Sequence, residues 1–171
     1  MVEKLLVFFV DSNKPAPKIT IIEEDKSDMV VLNDYIGPES DIISIGEKPV
    51  EVVSHKTGEV FNFSVQVYKI YYSPITSRIS LTANKREVTD TPIHQYIPEF
   101  KETLFEVTSG KQKNYTVKAY VLGKFLDDSV PVERDGFKIN PERLGKEEGE
   151  IIADVSETEI EKTVTKVLPK L

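Results

Sequence analysis

The stretch Ile79-Ser-Leu-Thr-Ala-Asn-Lys-Arg-Glu-Val88 decides how the middle of this chain folds. Every second residue from 79 to 83 is apolar, which is the period of a strand with one buried face. These apolar residues are expected to point inward. The polar residues Arg78, Ser80 and Thr82 are therefore expected to point outward.

A second run with the same period lies just upstream, over residues 61–67. Its odd-numbered residues are apolar and its even-numbered residues are polar, so a half-buried antiparallel strand is predicted. Turn-forming residues at 73–77 separate it from the first stretch. The two runs are predicted to pair as a β-hairpin that builds the core sheet.

The N-terminal third of the chain is predicted to be rich in strands. The apolar run at 4–10 indicates either a buried strand or the end of a helix. Runs at 18–22 and 29–32 flank a charged turn and are predicted to form a hairpin. Between residues 33 and 59, short β-branched runs interrupted by prolines predict brief strands joined by loops.

Two short helices are predicted downstream of the central stretch. The first is capped at Asp90 or Thr91 and is limited by Pro98, because proline disrupts an ongoing helix. The second runs from Glu99 to Val107, where apolar residues recur at helical spacing.

The C-terminal part of the chain combines a strand and a helix. Alternating apolar residues predict a strand over 115–121 that leads into a loop over 123–130. A capping box, Ser156-x-x-Glu159, predicts the start of a C-terminal helix. Its apolar stripe consists of Ile160, Val164, Val167 and Leu168.

The composition excludes several classes of function. The 171 residues include 22 Lys and Arg against 29 Asp and Glu, and the resulting net charge of −7 opposes broad binding of nucleic acid. The chain has no cysteine and its two histidines stand far apart, so no metal site is expected. The apolar run near the N-terminus is too short to span a bilayer, which favours a cytoplasmic protein without a membrane partner.

Patterns typical of an enzyme site are absent. The sequence lacks a phosphate-binding loop, a dinucleotide-binding fingerprint and a serine nucleophile elbow. Asp127-Asp128 could bind a divalent cation, but adjacent carboxylates point in different directions and turn acids are the better interpretation. Tyr68, Tyr71 and Tyr72 could stack on bases, although sheet packing is favoured. This chain alone is not expected to be an enzyme.

Arg134 stands between two acids, Glu133 and Asp135, after a short extended segment. Neighbouring carboxylates could hold its guanidinium rigidly toward an anion outside the domain. A structural cluster of arginine and carboxylates would use the same residues. From the residues alone, the structural cluster is favoured.

Three segments resemble parts of one superfamily. Leu81–Val88 is similar to a strand-and-turn segment in the second domain of the mismatch-repair ATPase MutL. Ile97–Phe100 and Gly123–Asp135 resemble segments in the middle domain of the large heat-shock chaperone ATPase. Both proteins belong to the gyrase, heat-shock chaperone, histidine kinase and MutL (GHKL) superfamily. The resemblance spans roughly residues 61–140, with weaker similarity at 4–33 and 156–167.

The resemblance implies an α+β fold like that of ribosomal protein S5 domain 2, a short mixed sheet with helices on one face. The corresponding division is a β-rich N-terminal segment at 1–60 packed on the core, a transducer core at 61–152 and a C-terminal helix at 153–171. In the family, such a middle domain adjoins a separate domain that binds ATP.

Site residues follow from the resemblance by position. The arginine that reaches the γ-phosphate of ATP falls on Arg134, with Glu133 in place of a serine. The supporting glutamine of the chaperone falls on Lys138. Asn84 and Arg86 match the Asn and Arg of the MutL segment, where they are structural.

The resemblance also implies partners and cofactors. The parent protein would be an ATPase that uses ATP and Mg²⁺. A homodimer is one of the open alternatives for the oligomeric state of the parent. The ATP-binding signatures of the superfamily, including Asp-x-Gly-x-Gly, are missing here, so this chain alone is expected to bind neither cofactor. Its partner would be the N-terminal ATP-binding domain. The alternative is a stand-alone S5-like module that binds RNA or a protein, with the acidic composition weighing against nucleic acid.

Overall fold

The computed structural model describes residues 6–10, 16–22, 28–108, 110–131, 136–137 and 155–168. Within these ranges the chain has the predicted α+β character, with many more residues in strands than in helices. The strands are β1 (Thr20–Ile22), β2 (Met29–Val31), β3 (Ile42–Val53), β4 (Val60–Tyr71), β5 (Arg78–Ala83), β6 (Arg86–Glu87), β7 (Thr91–Pro92), β8 (Leu104–Thr108) and β9 (Lys111–Leu122).

The helices are short. They are α1 (Val7–Val10), α2 (Lys124–Asp128) and α3 (Glu157–Thr165), with 3₁₀ turns at Leu32–Tyr35, Ile93–Gln95 and Pro98–Lys101. The capping box at α3 is confirmed: the Ser156 hydroxyl accepts from the Glu159 N–H at 3.2 Å and the Ser156 N–H donates to Glu159 Oε2 at 2.8 Å. The apolar run near the N-terminus contributes a helical turn.

The main sheet is mixed and follows the order β3-β4-β9-β5-β6. Strand β9 is antiparallel to β4 and parallel to β5, while β7 pairs with β5 and β8 pairs with β9. Strands β1 and β2 form a separate antiparallel hairpin, which confirms that prediction. Strands β3 and β4 lie in one sheet, on opposite sides of the boundary placed at residue 60.

The predicted hairpin between β4 and β5 is wrong, because β9 lies between them. Residues 64–71 of β4 pair with 115–122 of β9, and residues 78–81 of β5 pair with 118–121 of the same strand. A central strand must be covered on both faces, and residues 116–121 are all buried. Two matched alternating runs cannot reveal that a third strand from 40 residues away will separate them.

Two further predictions about strands are corrected. The region of brief strands is dominated by one 12-residue strand, β3, with a bulge between Ser44 and Gly46. Pro49 is tolerated within β3 because this strand is at the edge of the sheet, where one row of N–H groups needs no partner. In addition, Ser80 (0% exposed) and Thr82 (3% exposed) do not point to solvent as expected. The second face of the sheet is covered as well.

The two helices predicted between residues 90 and 107 are also corrected. The first is reduced to 3₁₀ turns, and the second is replaced in part by β8. Leu104 packs against the core, while Phe105 and Val107 are 64% and 69% exposed. The side chains of this segment therefore alternate between the two faces of a strand. Gly110, with φ of +75°, turns β8 into β9. The predicted loop at 123–130 contains α2.

The two faces of the main sheet are covered by different elements. On one side, here called the helical face, α2 and α3 pack on alternate residues of the central strands. Its main members are Val65, Val67, Ile79, Leu81, Ala119, Val121, Leu126, Ile160 and Val164. On the opposite side, here called the charged face, Leu6 and Val7 at α1 pack against Tyr68, Ile70 and Tyr120.

Candidate functional site

Three of the predicted site residues, Glu133, Arg134 and Lys138, lie outside the described residues. Their roles therefore stay predictions. Of the other two, Asn84 lies in the turn of the β5–β6 hairpin and Arg86 is the first residue of β6, at the edge of the main sheet.

The hairpin turn has an unusual backbone. Asn84 and Lys85 have φ of 49° and 63°, the left-handed region that a two-residue hairpin turn requires. Asparagine adopts this conformation readily, but a lysine does so at a cost of about 1–2 kcal/mol. The fold must therefore hold the turn in place from outside.

Helix α2 supplies that support. Asp127 Oδ1 accepts a hydrogen bond from the Asn84 N–H at 2.7 Å, and the Asn84 side chain donates to the Asp127 carbonyl at 3.3 Å. Asp127 thus acts as a cap for the turn.

No group of three or more His, Asp or Glu side chains arranged to hold a metal ion occurs among the described residues.

A network of charges lies behind the hairpin, on the charged face. Lys118 is 4% exposed, and its Nζ lies 3.1 Å from Glu87 Oε2 and 2.8 Å from Asp90 Oδ1. The Ser80 hydroxyl is within hydrogen-bond distance of the same two oxygens, and the Tyr120 hydroxyl donates to Glu87 Oε1 at 3.2 Å. The buried cation is therefore satisfied by two carboxylates.

The network is balanced in charge. Arg78 Nε forms an ion pair with Asp90 Oδ2 at 2.6 Å, so two cations face two carboxylates. Burial alone would raise the pKa of Asp90, but the hydrogen bond and charge of Lys118, together with Arg78, hold this pKa below its usual value. Glu87 already forms an ion pair with Lys118 and accepts a hydrogen bond from Tyr120. Its charge is therefore largely compensated inside the protein.

Two clefts flank the β5–β6 hairpin and share Arg86 and Glu87. One has a volume of about 190 Å³ and is lined by Ala83, Asn84, Arg86, Glu87, Val88 and Val130. The other has a volume of about 460 Å³ and is lined by Val7, Phe8, Lys85, Arg86 and Glu87. Arg86 is exposed between two apolar walls. One wall is formed by β5 and Val130, and the other is formed by α1.

The sequence reasoning missed the buried network and the clefts. One signal was available: Lys118 is a charged residue within an otherwise apolar and aromatic run at 117–121. A charge within a central strand requires a partner, because burying an isolated ion is very costly. The identity of the partners and the position of α1 had no signal in the local pattern.

The tyrosines proposed as a stacking platform are mostly used for packing. Tyr68 and Tyr71 are buried, and only Tyr72 of the three is largely exposed. The Tyr71 hydroxyl donates to Glu106, and burial together with this carboxylate raises the pKa of Tyr71 to about 12. Lys69 is paired with the same Glu106 at 2.5 Å. This arrangement favours the interpretation as sheet packing.

A second buried carboxylate anchors the C-terminal helix. Glu161 on α3 is buried and accepts hydrogen bonds from the Thr91 hydroxyl at 2.7 Å and the Tyr96 hydroxyl at 2.5 Å. Burial and the Glu161 carboxylate raise the pKa of Tyr96 above its usual value. These contacts hold α3 on the helical face.

Comparison of the chain with models of protein families, with curated proteins and with solved structures finds no match in any of the three. None of the helices in the described ranges has the length and the apolar character needed to cross a membrane.

Proposed function

We propose that this chain is the middle, or transducer, domain of a GHKL-type ATPase. In this proposal Arg134 reaches the γ-phosphate of ATP that a separate N-terminal domain binds with Mg²⁺ in the parent protein. Lys138 supports that contact. The chain itself contributes the arginine and the coupling to movement, and the nucleotide site belongs to the partner domain.

One observation carries the proposal: two segments that resemble the superfamily are in direct contact. Asn84 belongs to the MutL-like segment and Asp127 belongs to the chaperone-like segment that continues to Arg134 in sequence. They are 43 residues apart, yet two hydrogen bonds join them. Chance similarity of two unrelated segments would not require them to meet.

The architecture of the described residues agrees with this proposal at a coarse level. The resemblance implies a short mixed sheet with helices on one face, in the manner of ribosomal protein S5 domain 2. The main sheet is mixed, and α2 and α3 pack on its helical face. We include the S5-like fold in the proposal.

The physical logic is that of an arginine supplied by a second domain. A guanidinium stabilises the charge that develops on a transferred phosphoryl group, and arginines of this kind contribute about 10³–10⁵-fold to the rate. Because the contact forms only when the two domains close, hydrolysis becomes coupled to a conformational change.

The test is the ATPase activity of the intact parent protein with Arg134→Ala. Turnover is expected to fall by about 10³-fold or more while ATP binding is retained, because the arginine acts on the transition state. The matched control is Lys101→Ala, which removes an exposed cation from a 3₁₀ turn. Unchanged turnover in Arg134→Ala would refute the proposal.

A further inference from the structure

We propose that the β5–β6 hairpin binds an acidic, apolar segment of a partner protein. Lys85 and Arg86 would contact its carboxylates, and the two clefts beside the hairpin would take its apolar side chains. The proposed site consists of described residues, whereas Arg134, to which the phosphate contact is assigned, lies outside them.

The local charge at the hairpin favours an acidic ligand. The side chains of Lys85 and Arg86 make no hydrogen bond or ion pair with any residue in the described part of the chain. The neighbouring carboxylate, Glu87, is compensated by Lys118 and Tyr120. Among the described residues, these two adjacent cationic side chains therefore have no carboxylate partner, although the net charge of the chain is −7. Their natural complement is a pair of carboxylates.

The turn of the hairpin is held in a fixed conformation. The left-handed turn at Asn84 and Lys85 is held by Asp127 through both a backbone and a side-chain hydrogen bond. The start of each cationic side chain is thus fixed relative to the sheet. Preorganised contacts lose less entropy on binding than flexible ones do.

The two clefts have the size and the apolar walls to take apolar side chains of a ligand. Both volumes, about 190 Å³ and about 460 Å³, exceed the roughly 150 Å³ of a cavity that accommodates benzene. Val88 and Val130 line one cleft, and Val7 and Phe8 line the other. A ligand with apolar groups on either side of its anions fits this arrangement.

These features favour a protein segment over nucleic acid. A phosphate backbone needs an extended basic surface, whereas the cations here are two residues on an acidic protein. Nucleic acid also offers no aliphatic side chains for the apolar cleft walls. We therefore assign the site to a peptide in which Asp or Glu is flanked by large apolar residues.

The experiment is an NMR titration of the full ¹⁵N-labelled chain with a blocked peptide of sequence Leu-Glu-Asp-Phe-Leu. Signals of residues 84–88 are expected to shift, because these residues form the hairpin and both cleft walls. The neutral peptide Leu-Gln-Asn-Phe-Leu is expected to bind at least tenfold more weakly. Higher salt should weaken binding of the acidic peptide, since exposed charges are screened.

Variants assign the effect to the two cations. Lys85→Gln with Arg86→Gln is expected to weaken binding of the acidic peptide at least tenfold, while Lys101→Gln, which removes an exposed cation elsewhere, should leave it unchanged. Circular dichroism verifies that each variant is folded. Lys85→Glu with Arg86→Glu should instead bind the basic peptide Leu-Lys-Lys-Phe-Leu.

Three results would overturn the proposal. The first is equal binding of the acidic and neutral peptides, and the second is unchanged affinity in the double glutamine variant. The third is tighter binding of inorganic pyrophosphate or a twelve-nucleotide oligothymidine at residues 84–88, which would replace the protein partner by a phosphate ligand. Each result leaves the proposed role of Arg134 to its own test in the parent ATPase.

Discussion

The two faces of the main sheet are stabilised by different kinds of contact. On the helical face, apolar side chains of the central strands pack against α2 and α3. On the charged face, the same strands present Ser80, Lys118 and Tyr120 to the carboxylates of Glu87 and Asp90. Apolar packing depends on shape and area, whereas the charged network depends on the presence of every partner.

The difference explains where a binding site can form. A face that is closed by helices has no free surface at its centre. The charged face is covered by a short element, α1, and its polar network extends to the β5–β6 hairpin at the edge of the sheet. The exposed Arg86, the half-buried Lys85 and two clefts are found at this edge.

The largest effect is expected on the helical face, with Leu81→Ala. Leu81 is fully buried in the apolar cluster, and its truncation should lower the free energy of unfolding by about 2–5 kcal/mol through lost contacts and a cavity. Urea unfolding measures the change. Val107→Ala, on exposed β8, is the control and should cost no more than about 0.5 kcal/mol. A similar loss in both variants would contradict the assignment of the core.

A smaller loss is expected on the charged face, with Lys118→Met. The variant keeps the apolar stem but leaves Glu87 and Asp90 without their shared cation, at a cost of about 1–3 kcal/mol. This cost is lower than the cost of breaking a fully buried ion pair, because both carboxylates are partly exposed.

Two companions of Lys118→Met sharpen this prediction. Lys111→Met, on the same strand but exposed, should leave the urea midpoint near that of the unmodified protein. Adding Glu87→Gln to Lys118→Met should recover part of the loss, because it removes one unpaired carboxylate. A loss as small as that of Lys111→Met would show that the network contributes little.

Ser80→Ala is expected to cost about 1 kcal/mol. The substitution removes one hydroxyl donor from Glu87 and Asp90 while their ion pairs with Lys118 stay in place. Its stability is compared with that of the unmodified protein by thermal unfolding. A variant that is more stable than the unmodified protein would mean that the buried hydroxyl destabilises the fold at this position.

The smallest effect concerns the dependence of stability on pH. Because the folded state lowers the pKa of Asp90, the carboxylate contributes stability above its unfolded pKa of 3.8. That contribution is lost as the pH falls through the lower folded value. Asp90→Asn should therefore lose less stability than the unmodified protein between pH 5 and about pH 2.

The control for the acid range is Glu99→Gln, which removes an exposed carboxylate in a 3₁₀ turn. Urea midpoints are measured across the same pH range for the three proteins. If Asp90→Asn and the unmodified protein lose stability in parallel, the ion pairs of Asp90 do not contribute to folding.

Several elements could be predicted because their signals are local. Alternating apolar residues identified β4, β5 and β9, and the Ser156 and Glu159 pair identified the start of α3. A capping box and a period of two residues depend only on neighbours in sequence. The predicted α+β class was implied by the resemblance, and the described elements agree with it.

The errors arose where distant residues determine the conformation. Residues 104–107 have apolar spacing that fits a helix, but pairing with β9 makes them a strand. Ser80 is polar and was expected to be exposed, yet it is fully buried, and its hydroxyl lies within hydrogen-bond distance of Glu87 and Asp90. Tertiary contacts of this kind regularly override local propensity.

The candidate site divides in the same way. Asn84 and Arg86 were named from a resemblance, and the turn conformation at Asn84 agrees with the preference of asparagine for the left-handed region. The clefts, the support from Asp127 and the compensation of Glu87 could not be predicted, because they join segments that are far apart in the chain.

By itself, the sequence determined which segments alternate in polarity, where α3 begins and that the chain carries an excess of acid. Only the tertiary structure decided that β9 separates β4 from β5 and that Lys118 is buried between two carboxylates. The physical reason is range: backbone preferences act over a few residues. Strand order and charge pairing are instead chosen by the total free energy of residues brought together from the whole chain.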